Sequence, residues 1–315
     1  MKRQKRVRNR IRMAKGDRVF NVIAHIVVLL VAFLCFYPVW YVFINSIATG
    51  EAVRQGIYIF PRPGQFYFET YRAVLTEGRI LSGMRVSGMR VVVSTVLVVT
   101  FSAMFAYLTT RPKLPCRKLI YRFGIFSMFV HGGLIPWVMV MRALGLTNNF
   151  ATYIVPGMLS MMFVILIRAY MDSSIPPELE ESARMDGAGY VTTFLRVIMP
   201  LCKPILATVA LFNAVGAWNA WFDNFMLVTR HDLQTVQMTL FSFINEAEAI
   251  VRTMRNAAQQ GMTVNPGIIE EMARNMTSQN VRNVTTLVTM FPIMMIFPFL
   301  QKFFAKGIMI GAIKG

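Results

Sequence analysis

Residues 26–44 read IVVLLVAFLCFYPVWYVFI, a stretch without a single charged side chain. A helix needs about 20 apolar residues to cross a hydrocarbon core of about 30 Å. The whole apolar run covers residues 19–47, and Tyr37, Trp40 and Tyr41 near its end are typical of the aromatic belt at a membrane interface. The run is too long for the apolar part of a signal peptide, and no small-residue cleavage site follows it. It therefore predicts a transmembrane helix.

Five further stretches of this 315-residue chain are long and apolar enough to do the same. They are residues 84–110, 119–141, 150–171, 200–222 and 285–304. Hydrophobic residues make up 55% and charged residues 15%, with a mean hydropathy of +0.50, which excludes a disordered chain and argues against a water-soluble domain. The runs are uniformly apolar rather than alternating, so they favour helices over a β-barrel. The sequence predicts an all-α, polytopic membrane protein with six transmembrane helices.

The net charge of +18 is distributed unevenly between the segments that join these helices. One set of segments holds 17 basic residues in 64 positions, namely residues 1–18, 111–118, 172–199 and 306–315. The other set holds 10 in 108 positions, namely residues 46–83, 142–149 and 223–284. The positive-inside rule then places both termini in the cytoplasm, where the basic tail faces anionic headgroups. Nucleic-acid binding explains the charge less well, because nothing folded follows the tail before the first helix.

The chain divides into a first helix with its loop and a core of five helices. The segments are a basic cytoplasmic tail (1–18), the first transmembrane helix (19–47), an outer loop (48–83), the five-helix core (84–305) and a cytoplasmic C-terminal tail (306–315). Within the core, the outer segment 223–284 has helical spacing over 241–258 and 268–276, with Gly261 and Pro266 between. It predicts two short helices on the outer face.

The cytoplasmic loop 172–199 reads DSSIPPELEESARMDGAGYVTTFLRVIM. Ser173 or Ser174 can cap a helix whose first turn holds Pro176 and Pro177. Glu180 and Arg184 lie four residues apart and are expected to pair on one side of this helix. The pattern predicts a short helix with a well-defined start.

Gly187 and Gly189 are expected to end that helix by supplying left-handed backbone, and a second helix is expected over 190–198. The first helix has only a weakly apolar side, which suits a groove on a partner protein. The alternative is a helix lying on the bilayer surface. Its acidic residues argue against contact with an anionic membrane.

The same loop resembles the EAA loop of permease subunits of binding-protein-dependent ABC importers. That family pattern reads E-A-A-x-x-D-G-A, followed by an aromatic residue and I-x-L-P. The matching positions are Glu181, Ser182, Ala183, Asp186, Gly187, Ala188, Phe194, Ile198 and Pro200. Ser182 replaces an alanine and Met199 a leucine. The C-terminal sequence QKFFAKGIMIGAIKG, residues 301–315, resembles the terminal signature of carbohydrate-importer permeases.

The resemblance implies a type I ABC importer permease core in a bacterial cell membrane, forming half of the translocation path for a sugar or oligosaccharide. It implies a second homologous permease subunit, two ABC ATPase subunits and an extracytoplasmic solute-binding protein as partners. The residues expected to couple the chain to the ATPase are Glu181, Ser182, Ala183, Asp186, Gly187, Ala188 and Pro200. The chain holds no G-x-x-x-x-G-K-[ST] loop, so we expect no cofactor and no enzymatic activity of its own. No C-x-x-C spacing indicates a metal site.

Polar and aromatic residues of the fifth apolar run are candidates for the substrate path, because sugars bind through hydroxyl hydrogen bonds and aromatic stacking. They are Asn213, Trp218, Asn219 and Trp221. The alternative is that the asparagines bridge neighbouring helices and the tryptophans mark the interface.

A rival function is an ion-gradient-driven secondary transporter or facilitator. That class uses intramembrane carboxylates or inverted repeats, and the charge-free parts of the runs hold neither. Arg85, Arg90 and Arg168 lie near the ends of apolar runs, where snorkelling toward the interface explains them.

Overall fold

The computed structural model describes residues 15–56, 59–76, 78–112, 114–259 and 279–295. Within these ranges the chain forms helices and loops, and its sole extended pairing is an antiparallel bridge between Ala48 and Phe66. The all-α prediction is confirmed for this part of the chain. The terminal signature 301–315, the tail ahead of residue 15 and the helix expected over 268–276 lie outside the described residues.

The helices vary widely in length, and two of them have 32 residues. In chain order they are α1 (Lys15–Ser46), α2 (Gly50–Gln55), α3 (Glu69–Thr76), α4 (Arg79–Thr110), α5 (Arg117–Ser127), α6 (Leu134–Ala143), α7 (Met161–Ser174), α8 (Pro177–Met185), α9 (Tyr190–Thr193), α10 (Met199–Leu201), α11 (Lys203–Asn219), α12 (Phe222–Leu227) and α13 (Val236–Gln259). Residues 279–295 are helical as well. Three 3₁₀ turns (Phe150–Tyr153, Val155–Gly157, His231–Leu233) and a π-helical turn (Phe194–Ile198) complete the set.

Among the described residues, two helices are long and apolar enough to cross a membrane, Gly16–Ser46 and Arg79–Thr110. Two bent pairs raise the number to four if each counts as one crossing: Phe150–Gly157 with Met161–Ser174, at 46°, and Tyr190–Leu201 with Lys203–Asn219, at 80°. The expected six crossings are therefore not confirmed by the described residues, which include only part of the sixth apolar run.

The third apolar run, residues 119–141, is not the single helix that its composition predicts. α5 ends at Ser127 and α6 begins at Leu134, with Gly133 between them at φ +86°. A positive φ is incompatible with a right-handed helix, and adjacent glycines have poor helix propensity. Apolar composition indicates burial in lipid or protein, but it does not require an unbroken helix.

α4 is the central helix of the described fold and packs against α7, α11 and α13. Its C-terminal half contributes Ala103, Ala106 and Tyr107 to the largest buried cluster, which includes Ile167 from α7 and Leu206 from α11. At 32 residues and about 1.5 Å per residue, α4 is about 48 Å long. The two ends of α4 therefore lie far apart, and each gathers a different set of loops.

The loops gather at the two ends of α4 in the same two groups that the predicted topology places on opposite sides of the membrane. Arg79, at its N-terminal end, pairs with Glu246 of the outer segment at 3.0 Å. Asn148, from another predicted outer loop, accepts a hydrogen bond from the backbone N–H of Thr229 at 2.7 Å. Arg111, at the opposite end, contacts the loop 172–199. This grouping agrees with the topology, and which group faces the cytoplasm stays a prediction.

Candidate functional site

The loop helix expected between residues 172 and 199 is α8, and it begins at Pro177. Pro176 occupies the N-cap position at φ −62° and ψ 135°, an extended geometry that proline favours before a helix. The expectation that Ser173 or Ser174 caps α8 is wrong, because both form the last turn of α7. The Ser173 hydroxyl donates instead to the carbonyl of Tyr170 at 3.3 Å.

α8 ends in a Schellman turn centred on Gly187. The N–H of Ala188 donates to the carbonyl of Ala183 at 2.9 Å, and the N–H of Gly187 donates to that of Arg184 at 3.0 Å. Gly187 has φ +82°, as the sequence predicts, so this turn requires glycine or a residue that tolerates left-handed backbone. The same expectation for Gly189 is wrong: its φ is −74°, and it precedes α9 as an ordinary extended residue.

Most of α8 is exposed, and part of its exposed surface forms one helical stripe. Four of its exposed residues follow the i, i+3, i+4, i+7 spacing of one face: Glu178, Glu181, Ser182 and Met185. Met185 is 88% exposed, which is unusual for a large apolar side chain. Of the other resemblance-derived coupling residues, Asp186 and Gly187 are exposed, whereas Ala183 and Ala188 are half-buried. We call the four-residue stripe the α8 outer face.

An ion pair connects the opposite side of α8 to the end of α4. The Glu180 carboxylate contacts the Arg111 guanidinium and accepts a hydrogen bond from Arg184 at 3.1 Å, which confirms the expected i, i+4 pair. Burial lowers the pKa of Arg111, but arginine stays protonated at neutral pH. A cavity of about 320 Å³ lies between α8 and the ends of α4 and α7. The sequence offered one signal for this contact, since both loops were assigned to the same side.

Pro200 follows a π-helical turn rather than opening a straight helix. The N–H of Met199 bonds to the carbonyl of Phe194, five residues earlier. A proline ring collides with the carbonyl four residues before it in a regular α-helix, and the wider turn accommodates it. The helical stretch Tyr190–Leu201 then meets α11 at 80°.

The candidates for the substrate path occupy different environments. Asn213 donates to the hydroxyls of Ser94 at 3.2 Å and Thr95 at 3.0 Å, so it bridges α11 and α4. Trp218 is buried, and its indole N–H donates to the carbonyl of Thr289 at 3.0 Å. Asn219 is exposed.

Trp221 is partly exposed and belongs to an aromatic cluster. Its ring stacks on that of Phe241 at a centroid distance of 5.1 Å and meets Phe225 edge-on at 5.9 Å. No single surface therefore unites all four candidates of the fifth run.

Snorkelling does not explain Arg90, which is buried. Its guanidinium forms a two-pronged pair with Asp223, at 2.5 and 3.1 Å, and its carbon lies 4.7 Å from the centroid of the Tyr153 ring. A buried arginine needs such a partner because the uncompensated charge is costly. The sequence signal was available: Arg90 and Asp223 both lie near the predicted outer ends of apolar runs. Arg168 also stays within the protein, 4.0 Å from the Tyr121 ring centroid.

Comparison with known proteins identifies the family. Residues 13–222 match the family described as "Binding-protein-dependent transport system inner membrane component". Protein LplC of Bacillus subtilis (strain 168) is 32% identical over 307 residues, covering 96% of this chain and 97% of the relative. The polygalacturonan/rhamnogalacturonan transport system permease protein YtcP of the same strain is 28% identical over 301 residues, covering 95% and 99%.

A solved structure agrees with this assignment. A chain of a bacterial ABC transporter involved in the import of the acidic polysaccharide alginate superimposes with a TM-score of 0.78 at 26% identity, covering 93% of this chain and 99% of that chain. The match extends over nearly the whole of both chains, so it supports the helical arrangement of the described residues rather than one motif. The chain therefore belongs to the family of binding-protein-dependent transport system inner membrane components.

Proposed function

We propose that this protein forms half of the translocation path of an ABC importer for oligosaccharides, and that a partner ATPase drives it through α8. Its partners in this proposal are a second homologous permease, two ABC ATPase subunits and an extracytoplasmic solute-binding protein. The observation that carries the proposal is the α8 outer face. It exposes a methionine and two carboxylates on a helix fixed at both ends, which is suited to seating in a groove.

The coupling residues divide into two roles in this proposal. Glu181 and Ser182 lie on the α8 outer face and meet the ATPase directly. Ala183, Asp186, Gly187 and Ala188 shape the turn that ends α8. Pro200 fixes the wide turn that leads on to α11. The ATPase closes on ATP, moves α8, and switches the helices between inward-open and outward-open arrangements as rigid bodies.

The substrate class in this proposal comes from the relatives. YtcP is named for polygalacturonan and rhamnogalacturonan, and MelC of Bacillus subtilis for melibiose, raffinose and stachyose. We propose an oligosaccharide for this chain. Asn219 is the best placed of the predicted path residues, because it is exposed whereas Asn213 is half-buried and Trp218 is buried. Its amide N–H donates to the carbonyl of Val215 at 2.9 Å, so a sugar hydroxyl would have to share or replace that bond.

The topology in this proposal has six crossings with both termini in the cytoplasm of a bacterial cell. The contact between Arg111 and Glu180 supports it, because it joins two loops assigned to the same side. Reporter fusions after residues 112, 147 and 230 test the assignment. The first is expected to be active only as a cytoplasmic reporter and the other two only as extracytoplasmic reporters.

The experiment that tests the function is uptake into vesicles holding the chain with its co-purified partners. Labelled oligogalacturonides and raffinose serve as probes. We expect co-purification with an ATPase and uptake that requires ATP and the solute-binding protein. Uptake of either probe that persists without ATP and follows an imposed proton or sodium gradient would instead establish the secondary-transporter alternative.

A further inference from the structure

The Glu180 carboxylate of α8 is engaged by arginines of its own chain. It contacts Arg111 and accepts a hydrogen bond from Arg184 at 3.1 Å. Its side chain is 14% exposed, whereas that of the next residue, Glu181, belongs to the exposed α8 outer face. Both residues line the cavity beside α8, but Glu180 is the shielded one of the two and is engaged before any partner arrives.

Arg111, the partner of Glu180, is fixed to the last turn of α4. Its Nε donates to the carbonyl of Tyr107 at 3.2 Å and its Nη2 to the Thr110 hydroxyl at 2.7 Å. Its guanidinium carbon lies 4.2 Å from the centroid of the Tyr107 ring. That ring belongs to the main buried cluster, with the Phe194 ring 5.2 Å away. The guanidinium is thus rigidly attached to the best-packed part of the fold.

Apolar packing does not supply an equivalent attachment for α8. None of its residues is buried, and the cavity of about 320 Å³ separates it from the ends of α4 and α7. The Arg111 side chain is 13% exposed, so the pair is largely shielded from water. Shielded carboxylate–guanidinium pairs hold their geometry better than exposed pairs, which solvent and salt weaken.

We propose that Glu180 is a positioning residue that ties α8 to α4, so that a displacement of α8 is passed directly to α4. This inference rests on the proposed function, in which an ATPase displaces α8. The backbone already joins α8 to α7 before it and to α9 after it. The pair with Arg111 adds a third connection, to the helix that packs against α7, α11 and α13. α4 and α8 then move as one body.

The test measures whether α4 and α8 keep a fixed separation in the assembled transporter. Spin labels are placed on cysteines introduced at Leu81, on exposed α4 surface, and at Leu179, on α8 but off its outer face. The exposed Cys35 and Cys116 are first replaced by serine. Distances between labels are recorded without nucleotide and after trapping with ATP and vanadate. With Glu180 intact we expect the same distance distribution in both states.

Glu180→Gln is expected to shift and broaden that distribution in the trapped state while the ATPase still binds and traps nucleotide. Glu69→Gln is the matched control, because Glu69 pairs with Arg72 on its own helix, α3, at 4.0 Å and makes the same chemical change away from α8. It should leave the distances unchanged. Arg111→Gln removes the same pair from its other side, so it should shift and broaden the distribution in the same way, and it also covers the case in which Glu180→Gln does not assemble.

Three results would overturn the inference: a distance that shifts on trapping with Glu180 present, a Glu180→Gln variant that matches the unsubstituted chain, or an Arg111→Gln variant that does so. Each leaves the proposed function standing as long as the ATPase binds and traps nucleotide. If the unsubstituted chain captures no ATPase at all, the proposed function fails first. The two failures are therefore distinguishable.

Discussion

Replacing Gly187 by valine isolates the contribution of the turn behind α8. Gly187 has φ +82°, and an added Cβ meets nothing within 4 Å, so the substitution introduces backbone strain without a collision. Left-handed backbone costs an L-residue about 1–2 kcal/mol, and β-branched side chains tolerate it worst. At about 1.4 kcal/mol per factor of ten, the equilibrium constant that favours the native turn falls about five- to thirtyfold.

The expected result for Gly187→Val is a fall in ATP-dependent uptake by about that factor, with insertion into the membrane unchanged. The assay is uptake by reconstituted vesicles, with ATP hydrolysis measured in parallel. Gly187→Asn is the first control, because asparagine tolerates left-handed backbone, and it should retain most of the uptake. Gly189→Ser is the second control, because φ −74° suits any residue and serine is a good N-cap.

The reasoning about this turn is refuted if Gly187→Val transports and hydrolyses ATP like the unsubstituted chain. It is equally refuted if Gly189→Ser is as damaging as the valine variant, because then glycine at either position matters for a reason other than φ. Reduced insertion of Gly187→Val alone would also contradict it, since an exposed turn with open space around it should not control membrane integration.

Other substitutions test the contacts between helices. Arg90→Ala should lower the free energy of unfolding by about 3–5 kcal/mol, because it leaves Asp223 without its partner, whereas the exposed Arg85→Ala should change the thermal midpoint in detergent little. Asn213→Ala should lower the free energy of unfolding by about 1–3 kcal/mol, because the hydroxyls of Ser94 and Thr95 lose their donor. If this variant has unchanged uptake kinetics, Asn213 is not part of the substrate path. Trp218→Phe should lower the thermal midpoint by removing the indole donor, and an unchanged midpoint would contradict the hydrogen bond.

The parts of this fold that follow from local chemistry could be predicted. Apolar runs indicated helices, and Gly187 indicated the turn behind α8, because glycine adopts left-handed backbone more readily than other residues. Whether an apolar run forms one unbroken helix was not predictable in the same way. Gly133 interrupts a run whose composition is apolar on both sides, and an added Cβ there meets nothing within 4 Å, so no packing contact marks the break.

Contacts between distant residues were the least accessible from sequence. Arg90 and Asp223 are 133 positions apart, and only the packing of α4 beside α11 brings them together. From the sequence alone, snorkelling toward the interface is enough to explain Arg90. The loop 172–199 shows the same limit: the helix and its i, i+4 pair were predictable, but Arg111 belongs to a different loop.

The 80° bend between Tyr190–Leu201 and α11 has a geometric consequence for the proposed movement. The twelve residues of that stretch form a lever about 18 Å long, with Cys202 at its pivot and the turn behind α8 at its free end. A push of about 3 Å at the free end would rotate such a lever by about 10°, given about 1.5 Å of helix per residue. A small displacement of α8 by the ATPase would thus change the angle between this stretch and α11, and no helix would have to slide along its neighbours.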